Sequence, residues 1–469
     1  MKTYRKIISI VLSLALVMSL CIVQAPTKSF AGVKIIVGKK LDIDIGSKDT
    51  IVVKGKAKAK SSSKKIAKIT KTKKSKKQTK ITVKGMKVGK TKIKVKVKKK
   101  SKKVSVVVRP KTPSSLKAAL ASQTSARLTW SKAKGANGYY VYRSASRNGT
   151  YSKIATVKTN TYTNTGLALG KYFYYKVIAY GNKNIQSYEY SNIVSVKTWK
   201  LVWQDEFEGA ALDTTKWNNE GATGDGGFGN KELQDYQMEY SEVKDGKFII
   251  KPTIYWDKAN NTLVKNGSHW EAYSTKVWTK DTDTDKSFAQ FTYGKFEFRA
   301  KMPKGKGTWA AGWMLGTGAG GGWPTCGEID VFETTNQEAK TWIPQSLHMK
   351  KFNGDKSSSG NKHYDTTVSD ATTAYHTYGV EWYPTYIKFT IDGKQTGIYD
   401  PSIFTTENPA TDDMSVWPYK FPFYLIMNCA IGGTLGGEVT PKYWTLKDEF
   451  GDTQVYEDYL YFDYVRIYQ

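Results

Sequence analysis

Along most of this chain apolar and polar residues alternate with a period of two, the spacing of half-buried strands rather than of helices. Ile81-Thr82-Val83-Lys84 and Thr91-Lys92-Ile93-Lys94-Val95-Lys96-Val97 show it most plainly, with Gly85 and Gly89 in the turn between them. Tyr139-Tyr140-Val141-Tyr142-Arg143 and Tyr172-Phe173-Tyr174-Tyr175-Lys176-Val177 repeat it with aromatic residues. After residue 200 it returns in Lys247-Phe248-Ile249-Ile250-Lys251, in Gly294-Lys295-Phe296-Glu297-Phe298-Arg299-Ala300, and in Ile387-Lys388-Phe389-Thr390-Ile391 before an Asp392-Gly393 turn. No stretch carries a long helical period. The pattern predicts an all-β protein. Residues 200–469 are expected to form two large antiparallel sheets packed face to face, with a concave groove if the sheets curve.

One stretch breaks the usual logic of a strand. Gly327-Glu328-Ile329-Asp330-Val331-Phe332-Glu333-Thr334-Thr335 holds three carboxylates within six residues of a β-branched and aromatic run. Alternation puts Glu328 and Asp330 on one face and sends Glu333 to the other. One extra residue, a β-bulge around Val331-Phe332, returns Glu333 to the face of the other two. Like charges on one face repel, so folding alone has no use for them unless the face is simply solvated. Glycoside hydrolysis does have a use. A retaining enzyme needs one ionised carboxylate as nucleophile and one protonated carboxyl as acid, and crowding separates their pKa values.

Charge and cysteine narrow the reading. The net charge of +32 is unevenly spread. Residues 32–110 carry 29 Lys and Arg against 3 acids, and residues 111–199 carry 13 against 1. Residues 200–469 carry 27 against 37, so the part with the carboxylates is acidic and poorly suited to a polyanionic substrate. At the N-terminus, Lys2, Arg5 and Lys6 precede the 17-residue apolar run 7–23, and Ser29-Phe30-Ala31 offers a cleavage site before Gly32. This layout predicts a secretion signal, with an uncleaved anchor as the alternative. Cleavage removes Cys21 and leaves Cys326 and Cys429, too few for a disulfide framework. Cys326 reads as a small buried residue rather than a nucleophile.

The basic half divides into two modules. Residues 32–109, with "KIAKIT…ITVKGMKVGKTKIKVKV", resemble the bacterial Ig-like domains of group 2. Their lysines either retain the protein on an anionic cell-wall polymer or simply solvate strand faces and protect edges. Nucleic acid is disfavoured, since no aromatics interleave the lysines. Residues 110–199 open on Pro110 and Pro113 and resemble a fibronectin type III module, a β-sandwich with a buried Trp130. Its tyrosines are expected to serve core packing and spacing ahead of sugar binding.

Twelve of the 14 tryptophans lie from Trp203 onward. Trp309 and Trp313 share a strand face, and Trp323 sits in the turn before the acids, an arrangement suited to stacking on sugar rings. The motifs "LVWQDEFEG", "GFGNKELQDY", "YGKFEFRAKMPKGKGTWAAGWML", "GWPTCGEIDVFE", "SLHMK", "YHTYGVEW" and "FDYVRIYQ" follow in order across 201–469. Together they resemble glycoside hydrolase family 16, and within it bacterial laminarinases. The resemblance implies a β-jelly roll in which Glu328 is the nucleophile, Glu333 the acid/base, and Asp330 a partner that sets the nucleophile's protonation. It implies substrate contacts from Asn230, Glu232, Trp309, Trp313, Trp323, His348 and Asn428, and no catalytic cofactor. It also implies a structural calcium held by Glu206, the backbone of Gly246, and Asp463. Three departures bear on linkage: Lys276 stands where the family usually has Arg, Gly432-Gly433-Thr434-Leu435 lacks a Trp, and the segment from Tyr399 to Tyr419 is long. All three are expected at the cleft rim. The expected protein is a secreted, monomeric endo-β-1,3-glucanase, held at the cell surface if its lysines act as proposed. The alternatives are a mixed-linkage β-1,3-1,4-glucanase, a catalytically silent glucan binder, and a basic adhesin.

Overall fold

The computed structural model describes residues 40–219, 221–222, 224–280, 289–318, 320–337, 340–354, 359–360 and 362–469, so the expected secretion signal lies outside the described residues. The chain divides into two compact units, Met1–Thr198 and Trp199–Gln469.

The first unit contains two sandwiches. In one, the strands Leu41–Asp44, Lys100–Arg109, Gly89–Val97 and Ala57–Ser61 form a sheet in that order, and Lys48–Lys54, Gln78–Gly85 and Ala67–Lys74 form another. The alternation buries Ile51, Ile81, Val83, Ile93, Val104 and Val106 between the sheets. The strands on either side of the Gly85/Gly89 turn belong to different sheets, so this turn crosses the sandwich instead of closing a hairpin. Gly85 allows that crossing, because a Cβ there would lie 2.9 Å from the Asp44 carbonyl oxygen.

The second sandwich sets three strands (Thr161–Asn164, Ser125–Ser131, Ser114–Ser122) beside four (Ser152–Val157, Gly138–Ser144, Tyr172–Tyr180, Val194–Lys197). Trp130 is buried edge-on to Tyr139, their ring centroids 5.2 Å apart. Core packing accounts for only some of the tyrosines. Tyr139 and Tyr175 are buried. Tyr140, Tyr142, Tyr172 and Tyr174 alternate to the outer face, where Lys153 caps the Tyr140 ring at 4.9 Å.

The second unit is built on two sheets. One has seven strands, in the order Asn218–Asn219, Lys276–Trp278, Phe423–Ile431, Thr308–Gly316, Glu328–Gln337, Lys340–His348, Lys362–Thr367. The other has eight, centred on Leu460–Tyr468, Gly294–Lys301 and His376–Tyr383. Both are antiparallel throughout their paired strands. One large core lies between them, with Phe296, Phe298, Trp382 and Phe462 from one side and Met314, Phe332, Leu425 and Met427 from the other. Both free cysteines are buried, Cys429 inside this core. A third sheet was not foreseen. It includes Thr253–Asp257, Thr453–Glu457 and Thr445–Phe450, and it closes a smaller core around Ile254, Trp256 and Trp444. Its strands are short and scattered through the sequence, so no local period announces a separate sheet.

Phe332 marks where the core depends on one glycine. Gly312 faces it across the strand pair, and a Cβ at Gly312 would stand 2.5 Å from the Phe332 ring. Gly312→Ala is therefore expected to cost about 1–3 kcal/mol of stability, read as a lower midpoint in denaturant unfolding. An unchanged midpoint would mean that Phe332 is free to move.

Candidate active site

The Glu328–Gln337 strand is an inner strand of the seven-stranded sheet, between Thr308–Gly316 and Lys340–His348. Its register against Thr308–Gly316 pairs Phe332 with Gly312 and Asp330 with Trp313, so Val331 is the extra residue of a bulge. Val331 and Phe332 both point into the core as a result. Strict alternation forbids two consecutive inward residues, and the bulge returns Glu333 to the face that carries Glu328 and Asp330.

That face is not a solvated strand. Asp330 is only 2% exposed. His348, directly across from Glu328 in register, brings its Nε2 to 3.2 Å from Asp330 Oδ2 and 3.9 Å from Glu328 Oε1. Its Nδ1 faces the Asn353 carbonyl oxygen at 3.3 Å. Trp309 Nε1 donates to Glu333 Oε1 at 2.9 Å.

The electrostatics follow from burial. Glu333 is pushed up to about 7 by burial and by the Glu328 charge, while His348, Trp309 and Ser346 pull it back. Asp330 is raised well above the ordinary carboxylate range by burial and by both glutamates. Burial works to lower the His348 pKa, but the Asp330 contact and the three carboxylates outweigh it and raise it. The group at 333 is thus a proton donor near neutral pH, and the imidazole is the counter-charge of the cluster. Glu328, Asp330 and His348 also lie within 4.8 Å of one another, a spacing metals use. A metal there would need Asp330 ionised, against the direction of its shift. Burial raises the Cys326 thiol to about 11, which leaves it protonated and inert as a nucleophile.

The remaining cleft residues form a chain of contacts. Trp313 Nε1 donates to Asn428 Oδ1 at 2.8 Å, and Asn428 Nδ2 donates to the Tyr236 hydroxyl at 3.0 Å. Glu232 is buried and accepts from Gln234 at 2.9 Å and from Asn230 at 3.2 Å. Lys276 lies opposite Asn428 in register, with its ammonium 5.5 Å from both the Trp278 and Trp313 ring centroids and 5.8 Å from Tyr236. Trp323 is 48% exposed, and its ring stands 6.0 Å from that of His348. The short helix Gly433–Gly436 packs by this group, since Thr434 donates its N–H to the Asn230 carbonyl at 2.8 Å.

Sequence reasoning passed over Tyr236, Gln234 and Tyr419. The first two end a motif already noted, but only the fold brings them beside Asn428 and Glu232. Tyr419 narrows the expectation that the long segment belongs to the rim: its ends lie in the core, while residues between them such as Ile403 are exposed. Tyr399, Trp417 and Tyr419 are fully buried in the main core. The Tyr419 hydroxyl reaches the carbonyl oxygens of His348 at 2.9 Å and Glu328 at 3.3 Å.

The expected calcium ligands do not fit. Asp463 belongs to the eight-stranded sheet and Glu206 directly follows its strand Leu201–Asp205, on a different sheet from the three carboxylates. Both Glu206 oxygens accept from Arg466, at 2.7 and 2.8 Å, and Asp463 pairs with Arg299. Gly246 lies beside the carboxylate of Glu208 instead. A divalent cation needs several oxygen ligands with surplus negative charge, and here arginine already neutralises each acid.

Residues 252–442 match the family model "Glycosyl hydrolases family 16". A beta-glucanase of Rhodothermus marinus is 32% identical over 278 residues, covering 58% of this chain and 85% of the relative. The glucan endo-1,3-beta-glucosidase A1 of Niallia circulans is 35% identical over 57% of this chain, which spans 38% of that longer protein. The endo-1,3-1,4-beta-glycanase ExsH of Rhizobium meliloti (strain 1021) is 37% identical over 34% of this chain and 28% of its own length. The chain belongs to glycosyl hydrolase family 16. It is a glycoside hydrolase, and the chemistry of that class requires no catalytic cofactor.

Two outcomes follow. The alkaline limb of kcat/KM should titrate near about 7, because activity needs Glu333 protonated. The His348 charge holds the Glu333 pKa down, so His348→Asn should move that limb to higher pH; a limb that stays put would remove His348 from the cluster's electrostatics. Tyr419→Phe should lower kcat roughly tenfold with KM unchanged, through loss of one buried hydrogen bond. A change confined to KM would mean that Tyr419 shapes binding instead.

Proposed function

We propose that this chain is a retaining endo-β-glucanase acting on internal β-1,3 bonds of laminarin-like glucans. The observation that carries the reading is the bulged strand, which sets Glu328, Asp330 and Glu333 on one buried face beside two aromatic side chains. Glu328 attacks the anomeric carbon while Glu333 gives its proton to the departing glycosidic oxygen, leaving a glycosyl ester on Glu328. Glu333, now ionised, takes a proton from water. The hydroxide equivalent displaces Glu328 and restores the starting state. Asp330 holds a proton beside the nucleophile, and His348 balances the charge. The tryptophans offer apolar faces to sugar rings, and Asn230, Glu232 and Asn428 offer hydrogen bonds to hydroxyls. The names of the Rhodothermus and Niallia relatives support glucan as substrate.

A second reading is hydrolysis of mixed-linkage β-1,3-1,4-glucan. Lys276 opens the question of linkage, since a lone ammonium cannot make the planar bidentate contacts of a guanidinium at that position. The name of the Rhizobium relative supports this second reading. The strand patterns of the two N-terminal sandwiches support their assignment as an Ig-like and a fibronectin type III module. The apolar run 7–23 supports secretion, and the lysine-rich unit supports retention on an anionic surface.

The test is product analysis after incubating the full chain separately with laminarin and with barley β-glucan. Oligosaccharides from laminarin support the first reading, and release from barley glucan alone replaces it with the second. Glu328→Gln should abolish turnover while glucan binding persists. Substantial residual activity in that variant would refute the nucleophile's role.

A further inference from the structure

The lysines of residues 40–110 are not scattered over a surface; the strand register sets them in rows. In the sheet formed by Ala57–Ser61, Gly89–Val97 and Lys100–Arg109, Lys60 pairs with Lys94 and Lys94 with Lys103, while Lys58 pairs with Lys96. Lys92 continues the same face. All six side chains are exposed, and the residues that alternate with them, such as Ile93, Val95 and Val104, are buried. Among the described residues none of the six forms an ion pair. The acids of that sheet, Asp42 and Asp44, sit on the opposite edge strand, and Asp42 is paired with Lys40 and Arg109.

Directly opposed like charges destabilise a strand pair. A solvated face needs polar residues, but Thr, Ser or alternating charge would serve it at less cost. The rows therefore point to a ligand that supplies the missing negative charge. Along a strand, same-face lysines recur every second residue, about 6.6–6.8 Å, and neighbouring strands lie about 4.7–4.9 Å apart. That is a flat, regular lattice of cations. A flat sheet face offers nothing to enter a duplex groove. Residues 40–110 contain no aromatic residue, so stacking on single-stranded bases is also excluded. A neutral glucan would leave the charge unanswered.

We propose that this sheet face, together with the matching row of Lys48, Lys84 and Lys68 on the other sheet, binds a linear, phosphodiester-linked polyol polymer, its regularly spaced anions lying along the lysine rows. The proposal rests on the surface-retention reading above and gives it a face and a ligand chemistry.

The experiment measures binding of the full chain to immobilised poly(glycerol phosphate) over a series of salt concentrations. Binding should be firm at about 50 mM salt and fall log-linearly as salt rises. Lys60→Gln/Lys94→Gln/Lys103→Gln should weaken it roughly tenfold or more and reduce the salt slope by about 2. A matched triple on the second sandwich, Lys117→Gln/Lys132→Gln/Lys158→Gln, removes the same charge from exposed positions outside any lysine row and should leave affinity unchanged. Thermal midpoints check folding, and relief of like-charge pairs should keep the first variant at least as stable as the parent. Equal losses in the two triples, or no loss in the first, overturn the assigned face while surface retention stands. No binding of the parent chain overturns both. Tighter binding to duplex DNA than to the polymer overturns the ligand class.

Discussion

Three carboxylates on one buried face of one strand are the constraint to which the catalytic unit is fitted. Left alone they would repel and draw in water. The fold gives the cluster one imidazole, from His348, and one indole N–H, from Trp309. Crowding and burial then decide the protonation states, because one positive charge cannot hold a buried Asp330 and two half-buried glutamates all ionised. The same crowding that costs stability keeps the Glu333 proton in place near neutral pH. A protonated carboxyl and the strain of folding around it are here one electrostatic fact.

The bulge ties that cluster to the core. Val331 and Phe332 both enter the space between the two large sheets, Gly312 vacates the volume that Phe332 takes, and Glu333 turns back to the cleft. Tyr419 reaches the backbone at Glu328 and His348 from beneath. The carboxylates are thus held by packing on the core side, and the opposite side is left to Trp323, Trp313 and the contacts around Asn428. On the eight-stranded sheet, arginines answer Glu206 and Asp463, so those acids are settled without a shared cation.

The N-terminal unit shows the opposite electrostatic solution. Its first sandwich builds its core from aliphatic residues alone and sets lysines of neighbouring strands opposite one another. An aliphatic core of alternating Val and Ile tolerates any polar residue on the outer face. The charge there is free to follow a partner rather than the fold.

Much was legible in the sequence because strands encode their faces locally. The period of two located Phe248–Ile250, Gly294–Lys301 and Tyr386–Ile391, and the one-residue excess between Asp330 and Glu333 located the bulge. Trp309 and Trp313 fell on the shared face that their spacing implies. What the sequence could not decide were contacts between segments far apart. Whether the Gly85/Gly89 turn closes a hairpin or crosses a sandwich depends on which sheet each strand joins. That Tyr419 is a buried brace rather than rim, and that Glu206 and Asp463 meet arginines, depends on partners dozens to hundreds of residues away. Local periodicity sets which way a side chain points. Only the packed sheets set what it meets, and with it the burial and neighbouring charges that fix a pKa.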